Sequence, residues 1–318
     1  MFRTPEEPNP KKHPEVKGFV LPEILDFADL YQTKNETSSR KALDDTVNRH
    51  IEECVDMGLR LTDPRETVNC EHVTTKVLPI KLASGKIQET EIRVESVSVA
   101  GTSDKDMKGV RHIAKLTGVK ASYAFDVYNR LNYTDAIDKF TYLVEQIDSI
   151  DVPKDNKHDI AWNHVAYTAD RLVPMFAVRD FVTFDFVSEA HMMLNSRSCK
   201  HPLRPQTPIP TFWSFCGDKQ TYRVPLQYFL RIIPDKDDPD GSCTVVQFQY
   251  SDIGGVVPPA SQTKAVIDFG LDNLPKFFAI VLRAKEKGLE LGVGSKGYLK
   301  NPLEPCWRQD IQGMIPGL

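Results

Sequence analysis

No stretch of this 318-residue chain comes near the roughly 20 consecutive apolar residues that a membrane-crossing helix needs. The opening residues, MFRTPEEPNPKKHPEVKG, lack the apolar run of a signal peptide, so the chain reads as a soluble, cytoplasmic protein. A basic surplus is missing too. The formal charge is -4 and the pI near 6.1, which argues against a nucleic-acid binder. Cysteine is scarce: the six, at positions 54, 70, 199, 216, 243 and 306, show no CxxC or other ligand spacing. That argues against a zinc centre and leaves reduced, mostly core thiols as the expectation. There is no GxSxG, Walker A, HExxH or EF-hand pattern. Gly292-Val-Gly-Ser-Lys-Gly297 has GxGxxG spacing, but it follows a helix and lacks the βαβ unit that would bring a helix N-terminus to a pyrophosphate. His158, Asp159 and His164 have no third close ligand and read as a surface and a sheet histidine, not a metal site. No cofactor, metal or catalytic group is therefore expected.

What is present is an ordinary globular composition, 41% apolar and 26% charged, in a chain long enough for one large domain or two modest ones. Residues 21–31 read as a short helix with Pro22 in its first turn. A stronger helix runs from Thr37 or Ser38 to Gly58, with Leu43, Val47, Ile51, Cys54 and Val55 at helical spacing. It is expected to cover the outside of a domain. From Cys70 the texture turns to β. Strands are expected at 73–82 and 87–99, joined by a turn at Ala83-Ser-Gly-Lys86, and then at 110–119. A helix at 121–131 and a shorter one at 134–139 lead into a strand at 140–150. Alternation then marks antiparallel strands at 160–170, 178–187, 192–201, 222–233 and 243–252.

A last helix is expected over 260–287, with Val266, Phe269, Leu274, Phe277, Phe278, Val281 and Leu282 on one broad face. Gly270 and Pro275 are placed to weaken or kink it. Its cations Lys276, Arg283, Lys285 and Lys287 offer an attraction to an anionic membrane surface, or simply a wet side. Two connections stand out. Leu172-Val173-Pro174-Met175-Phe176 puts five apolar residues at a loop tip, where small polar ones are usual, and reads as a lid that closes on something apolar or leans on a membrane. The proline-rich connection 202–220 holds Phe212, Trp213 and Phe215 and reads as part of a site entrance.

Four local features carry a resemblance to a known family. Arg179-Asp180-Phe181-Val182 opens a central strand, and Ser198-Cys199-Lys200-His201-Pro202 ends the strand after the next turn. Gly254-Gly255 with Pro258 precedes the last helix, and a strand runs from Ala161 into the apolar loop ending at Phe176. In order and separation these resemble the START family, the lipid-transfer domains related to steroidogenic acute regulatory protein. The resemblance implies an α+β helix-grip fold, a curved antiparallel sheet wrapped around a long C-terminal helix with a tunnel between them. It covers residues 61–287, leaving an N-terminal extension with helices at 1–60 and a C-terminal tail at 288–318. The departures are Asp185, where sterol-binding relatives carry a second arginine, and Val256, where a tryptophan is usual. Both favour a phospholipid-like ligand over a sterol.

The resemblance thus implies a protein that holds one lipid and moves or senses it between membranes, with a transient membrane surface as partner. A protein partner through the N-terminal helices or the tail is a further reading. The expected ligand contacts are His164, Met175, Phe176, Phe184, Asp185, Tyr228, Phe248, Tyr250, Phe269 and Phe278. Alternation puts Val182, Phe184, Val246, Phe248, Tyr228 and Leu230 on the tunnel side and leaves Arg223, Gln227, Gln247 and Gln249 in solvent. The family's polar pair would instead turn Thr183 and Asp185 inward toward His164. The rival function is an enzyme on the same architecture, a cyclase or hydrolase with His164 and Asp185 as acid and base.

Overall fold

Strands form where β-branched and aromatic residues alternate with polar ones, and helices where apolar residues return every third or fourth position. The computed structural model describes residues 18–27, 37–67, 69–82, 84–100, 108–130, 141–148, 157–170, 179–200, 222–223, 225–252 and 257–288. In chain order these hold β1 (Phe19–Val20), β2 (Leu25–Asp26), helix α1 (Thr37–Leu61), β3 (Cys70–Lys81), β4 (Ile87–Ala100), β5 (Lys108–Thr117) and helix α2 (Ala121–Arg130). Then come β6 (Thr141–Asp148), β7 (Ile160–Asp170), β8 (Arg179–Ser188), β9 (Met193–Lys200), β10 (Tyr222–Arg223), β11 (Leu226–Pro234), β12 (Ser242–Ser251) and helix α3 (Pro259–Glu286).

The twelve strands make one sheet, ordered β1-β4-β5-β12-β11-β9-β8-β7-β6, with β3 on β4, β2 on β9 and β10 on β8. The long pairings, such as β11 with β12 and β7 with β8, are antiparallel. The two-residue strands β1, β2 and β10 pair in parallel. In the described part of the helix expected over 21–31, Leu25–Asp26 is a strand that takes the edge of β9 at Cys199 and Lys200, beyond the last β11 partner of Arg197, and only Phe27 is helical; residues 28–31 lie outside the described residues. An open row of backbone groups, together with a hydrogen bond from Arg197 to the Pro22 carbonyl at 2.6 Å, outweighs weak helix propensity around a proline. The expected helix at 134–139, the loop at 172–176, the connection at 202–220 and the tail beyond 288 lie outside the described residues.

Both faces of the sheet are covered. On the convex face Val47, Ile51, Cys54, Val55 and Leu61 of α1 share a core with Phe184, Phe186, Phe229, Phe248 and Tyr250. Close approach is allowed by Gly58, where a Cβ would sit only 2.7 Å from Met193 Sδ and from the Phe229 ring. Burial pushes the Cys54 thiol up to about 12, so it behaves as a small apolar residue. Arg111, 1% exposed, anchors the exit of α1. It donates to Glu95 and to the carbonyls of Leu61 (3.3 Å), Asp63 (2.8 Å) and Glu66 (2.6 Å).

On the concave face α3 and α2 pack against Ile92, Val94, Val187, Leu194, Leu230, Ile232 and Val245 through Val266, Leu274, Phe277, Phe278, Ala124 and Val127. Helix α3 continues through Gly270 and Pro275, because the residues from Asn273 to Leu282 are all buried and tertiary packing outweighs the lost propensity. It starts at Pro258-Pro259, where the missing N–H costs nothing. It ends at Gly288, whose φ of +64° suits glycine at a helix C-terminus. Gly270 lies directly on the imidazole of His112, and a Cβ there would overlap the ring. His112 Nε2 lies 3.1 Å from the Ile267 carbonyl, which fixes Nε2 as the protonated nitrogen and leaves buried Nδ1 without a partner among the described residues.

Two outcomes follow. Gly270→Ala gains helix propensity of about 1 kcal/mol but overpacks the ring, and a net loss of about 2 kcal/mol is expected in urea unfolding. Combining it with His112→Ala should abolish that penalty, and additive losses would disprove the contact. Burial holds His50 and His112 at about 4, below the ordinary 6.5, with Arg197 adding to the effect at His50. The unfolded chain protonates first, so the stability that neutral imidazoles give is complete above 6.5 and is lost as pH falls toward 4. At pH 5 the loss is roughly 2 kcal/mol per histidine. A flat unfolding midpoint from pH 7 to 5 would contradict this.

Candidate functional site

In an antiparallel ladder, directly paired residues point to the same side. The register pairs His164 with Asp185, Asp185 with Ser196, Ser196 with Tyr228 and Tyr228 with Gln249. One polar row therefore crosses β7, β8, β9, β11 and β12. The next row along the strands is Trp162, Val187, Leu194, Leu230, Gln247 and His112. Beyond it lie Ile232, Val245, Ala114 and Ile92. Val187, Leu194, Leu230, Ile232 and Val245 belong to the core beneath α3, so all three rows look toward that helix. The concave surface grades from polar to apolar along the strand direction.

Within the polar row His164 Nε2 lies 3.2 Å from Asp185 Oδ2, with side chains 5% and 8% exposed. The Trp162 ring stacks on the imidazole, centroids 4.8 Å apart and planes 5° from parallel, and fixes its orientation. From α2 the Tyr128 hydroxyl comes within 3.4 Å of that of Tyr228, while its ring meets Phe277 edge-on at 5.3 Å. Burial pushes the Tyr128 phenol up to about 12, and the Asp185 charge adds to the shift against the hydrogen bond from Tyr228. Among the buried atoms with no hydrogen-bond partner among the described residues are Asp185 Oδ1, Gln249 Oε1, Gln247 Nε2 and both side-chain polar atoms of Asn129. Each such atom costs about 1–3 kcal/mol. Ser196, Tyr228, Gln249 and Trp162 are only half-buried although they sit mid-sheet under a helix, whereas Asn195, Arg197, Phe229 and Phe248 on the other face are buried. That difference points to open space over the polar row.

The structure brings three of the expected contacts together, His164, Asp185 and Tyr228, and adds Phe278, buried in the core at α3. Phe269 is half-buried on α3. Phe184, Phe248 and Tyr250 are elsewhere: they face α1 on the convex side, as do Val182 and Val246 by register. Gln247 and Gln249 are on the concave face, and Gln227, fully buried, bonds Asn195 Oδ1 at 2.8 Å on the other. The alternation holds on each strand; its polarity is as expected on β11, where Tyr228 and Leu230 face α3, and inverted on β8 and β12, because the more apolar set there is claimed by the apolar stripe of α1. Thr183 shares the side of Asp185, two residues along β8, and is buried with it. Met175, Phe176 and the side chains of Arg179, Asp180 and Arg223 lie outside the described residues. The cations expected to attract a membrane are engaged. Lys276 is buried against Asp272 at 2.6 Å, Arg283 pairs with Glu286 at 3.6 Å, and Lys285 donates to the Gly118 carbonyl. Ser196, Gln247, Gln249, Trp162 and Tyr128 were missed; for the four on strands the signal was available, since they fall on the parity of Asp185 once α1 takes the other face, whereas Tyr128 on α2 has no such register.

Among the described residues no group of three or more His, Cys, Asp or Glu could hold a metal ion. No helix among them is long and apolar enough to cross a membrane. No family model matches the chain, and no curated protein sequence does. Solved structures do. The crystal structure of human STARD10 is similar with a TM-score of 0.54 and 16% identity, covering 84% of this chain and 90% of that one. Human StAR-related lipid transfer protein 5 is similar at 0.45 and 15%, covering 80% of this chain and 100% of that one. The Zhui aromatase/cyclase from Streptomyces sp. R1128 gives 0.36 and 13%, over 59% and 99% of the two chains. The likeness to STARD10 is one of fold: the chain has a START-like, α+β helix-grip architecture.

A site that keeps a buried carboxyl oxygen, Asp185 Oδ1, without a hydrogen-bond partner among the described residues should be locally destabilising. Asp185→Asn is expected to raise the stability of the ligand-free protein by about 1 kcal/mol. Glu95→Gln, which strips a carboxylate bonded to Arg111, should cost about 3 kcal/mol. Equal losses in urea unfolding would refute the distinction.

Proposed function

We propose that this START-like chain holds a single lipid between the concave face of its sheet and helix α3, and carries or senses it between membranes. The observation behind the reading is the polar row from His164 to Gln249, in which Ser196, Tyr228 and Gln249 are half-accessible in mid-sheet and which is continuous with an apolar surface. Acyl chains on the apolar rows gain about 0.8 kcal/mol per buried CH2, while a headgroup meets the atoms that lack partners. A two-chain, phospholipid-like molecule is favoured over a sterol, because the row offers a carboxylate and several acceptors where a sterol brings one hydroxyl. Native mass spectrometry of the full chain after incubation with a lipid extract should reveal one lipid per protein, and labelled lipid should move between vesicles. A protein that stays empty and transfers nothing would overturn the proposal.

One observation favours a second reading, the 3.2 Å approach of His164 to Asp185 beside half-buried polar groups. An imidazole beside a carboxyl group is the arrangement of a general base with its orienting partner. On that reading the chain is a cyclase or hydrolase acting on a hydrophobic substrate. Turnover of a long-chain ester, lost in His164→Ala with the ester still bound, would decide for it.

A further inference from the structure

Asp185 sets the chemistry of the row. Its Oδ2 faces His164, and its Oδ1 is buried with no hydrogen-bond partner among the described residues. On the same row stand the Ser196 hydroxyl and the Tyr228 phenol, with Tyr128 beside Tyr228, and all three oxygens accept hydrogen bonds. Further along, Gln249 presents an unpartnered carbonyl oxygen. The arginines of β4, β5, β9 and β11 are turned away, while Arg179, six residues along β8 on the parity of Asp185, has a side chain outside the described residues. Register places Arg197 opposite Phe184, Arg231 opposite Val246 and Arg111 opposite Phe248 and Glu95, and Arg93 alternates with Ile92 and Val94, so all four belong to the convex side. Lys276 of α3 is held by Asp272. Among the described residues the row is thus acidic and acceptor-rich, with the imidazole of His164 as its one titratable base.

A phosphate- or carboxylate-ended lipid would bring a second anion against a carboxylate in a dry site, where like charges repel strongly. A sterol hydroxyl brings one donor and no charge. A quaternary ammonium brings charge but no N–H. A primary ammonium brings a positive charge and three donors, as many as the acceptors at this end of the row can use.

We infer, resting on the lipid-holding reading above, that the polar end of the ligand is a protonated primary amine seated on Asp185, with Ser196 and Tyr228 completing its hydrogen bonds. An aminophospholipid and a sphingoid base share that chemistry. His164, pinned by Trp162, positions the carboxylate so that Oδ1 is presented to the ligand.

The test uses the full chain and native mass spectrometry. One arm supplies vesicles of phosphatidylethanolamine, its N-acetylated derivative, phosphatidylcholine and phosphatidic acid in equal amounts; a second supplies sphingosine against ceramide in phosphatidylcholine vesicles. The free-amine species is expected to be enriched about tenfold in at least one arm, as a charge-assisted contact allows, and which arm responds identifies the source. In Asp185→Asn the preference for the free amine over its N-acetylated derivative should fall to about parity among whatever lipid is bound. Should that variant not fold, the comparison of free with N-acetylated amine on the unaltered protein decides alone. Lipid loaded without preference for the free amine, or with preference for phosphatidic acid, overturns this inference and leaves the lipid-holding reading standing. No lipid loaded from any vesicle defeats both.

Discussion

Every residue of the central strands must choose one of two dry faces, and helix α1 makes the choice. Its stripe of Val47, Ile51, Cys54, Val55 and Leu61 needs an apolar partner of matching size. The set on β8, β11 and β12 that contains Phe184, Phe186, Phe229 and Phe248 supplies it. Each of those rings gains about 1.5–3 kcal/mol from leaving water, so the parity is held by several aromatic side chains at once. A one-residue slip would send them to the other face and the polar row under α1. The concave face is free to carry Asp185, Ser196, Tyr228 and Gln249 because the convex core already fixes the register.

The second constraint is the seating of α3. Gly270 brings the helix backbone onto the His112 ring, and the Ile267 carbonyl engages the same ring from one turn earlier. This contact lies at Gln247 and His112, one row from the polar row. The floor of the space above Asp185 and the attachment of its roof are therefore mechanically adjacent. A ligand that presses on that row presses near the point where the helix is held.

Much of this was legible in the sequence. The strand positions, the stripe of α1, the extent of α3 and the ends of the long hairpins follow from periods of two and of three to four. The two-residue strands β1 and β2 were not legible, since a pair such as Leu25–Asp26 has no period and is ordered only by a vacant sheet edge. The faces of β8 and β12 were misread for a related reason, although that of β11 was read correctly. Alternation divides residues into two sets but does not say which set looks at which cover, and burial is common to both when each face has a helix. His164 and Asp185 were found through family likeness; Ser196, Gln247 and Gln249 were passed over because polar residues on a strand suggest solvent. The helix at 37–61 held the missing information, since an apolar stripe there requires an apolar face opposite.

The unpartnered atoms on the concave side make sense on the same terms. A sheet selected for stability alone would place Leu or Val at 185, 247 and 249, as it does at 187, 230 and 245 in the adjoining rows. Polar groups there reduce stability by some kcal/mol in the empty protein, which the convex core and the Arg111 anchorage can sustain. On the concave face the disagreement between burial and residue type falls at Asp185, Gln247 and Gln249, while Asn195, Arg197 and Gln227 are polar groups buried on the convex face. Where sequence and environment conflict, function is the usual reason, and the proposed ligand fits the conflict on the concave face, with apolar length to match the lower rows and hydrogen-bond donors at one end.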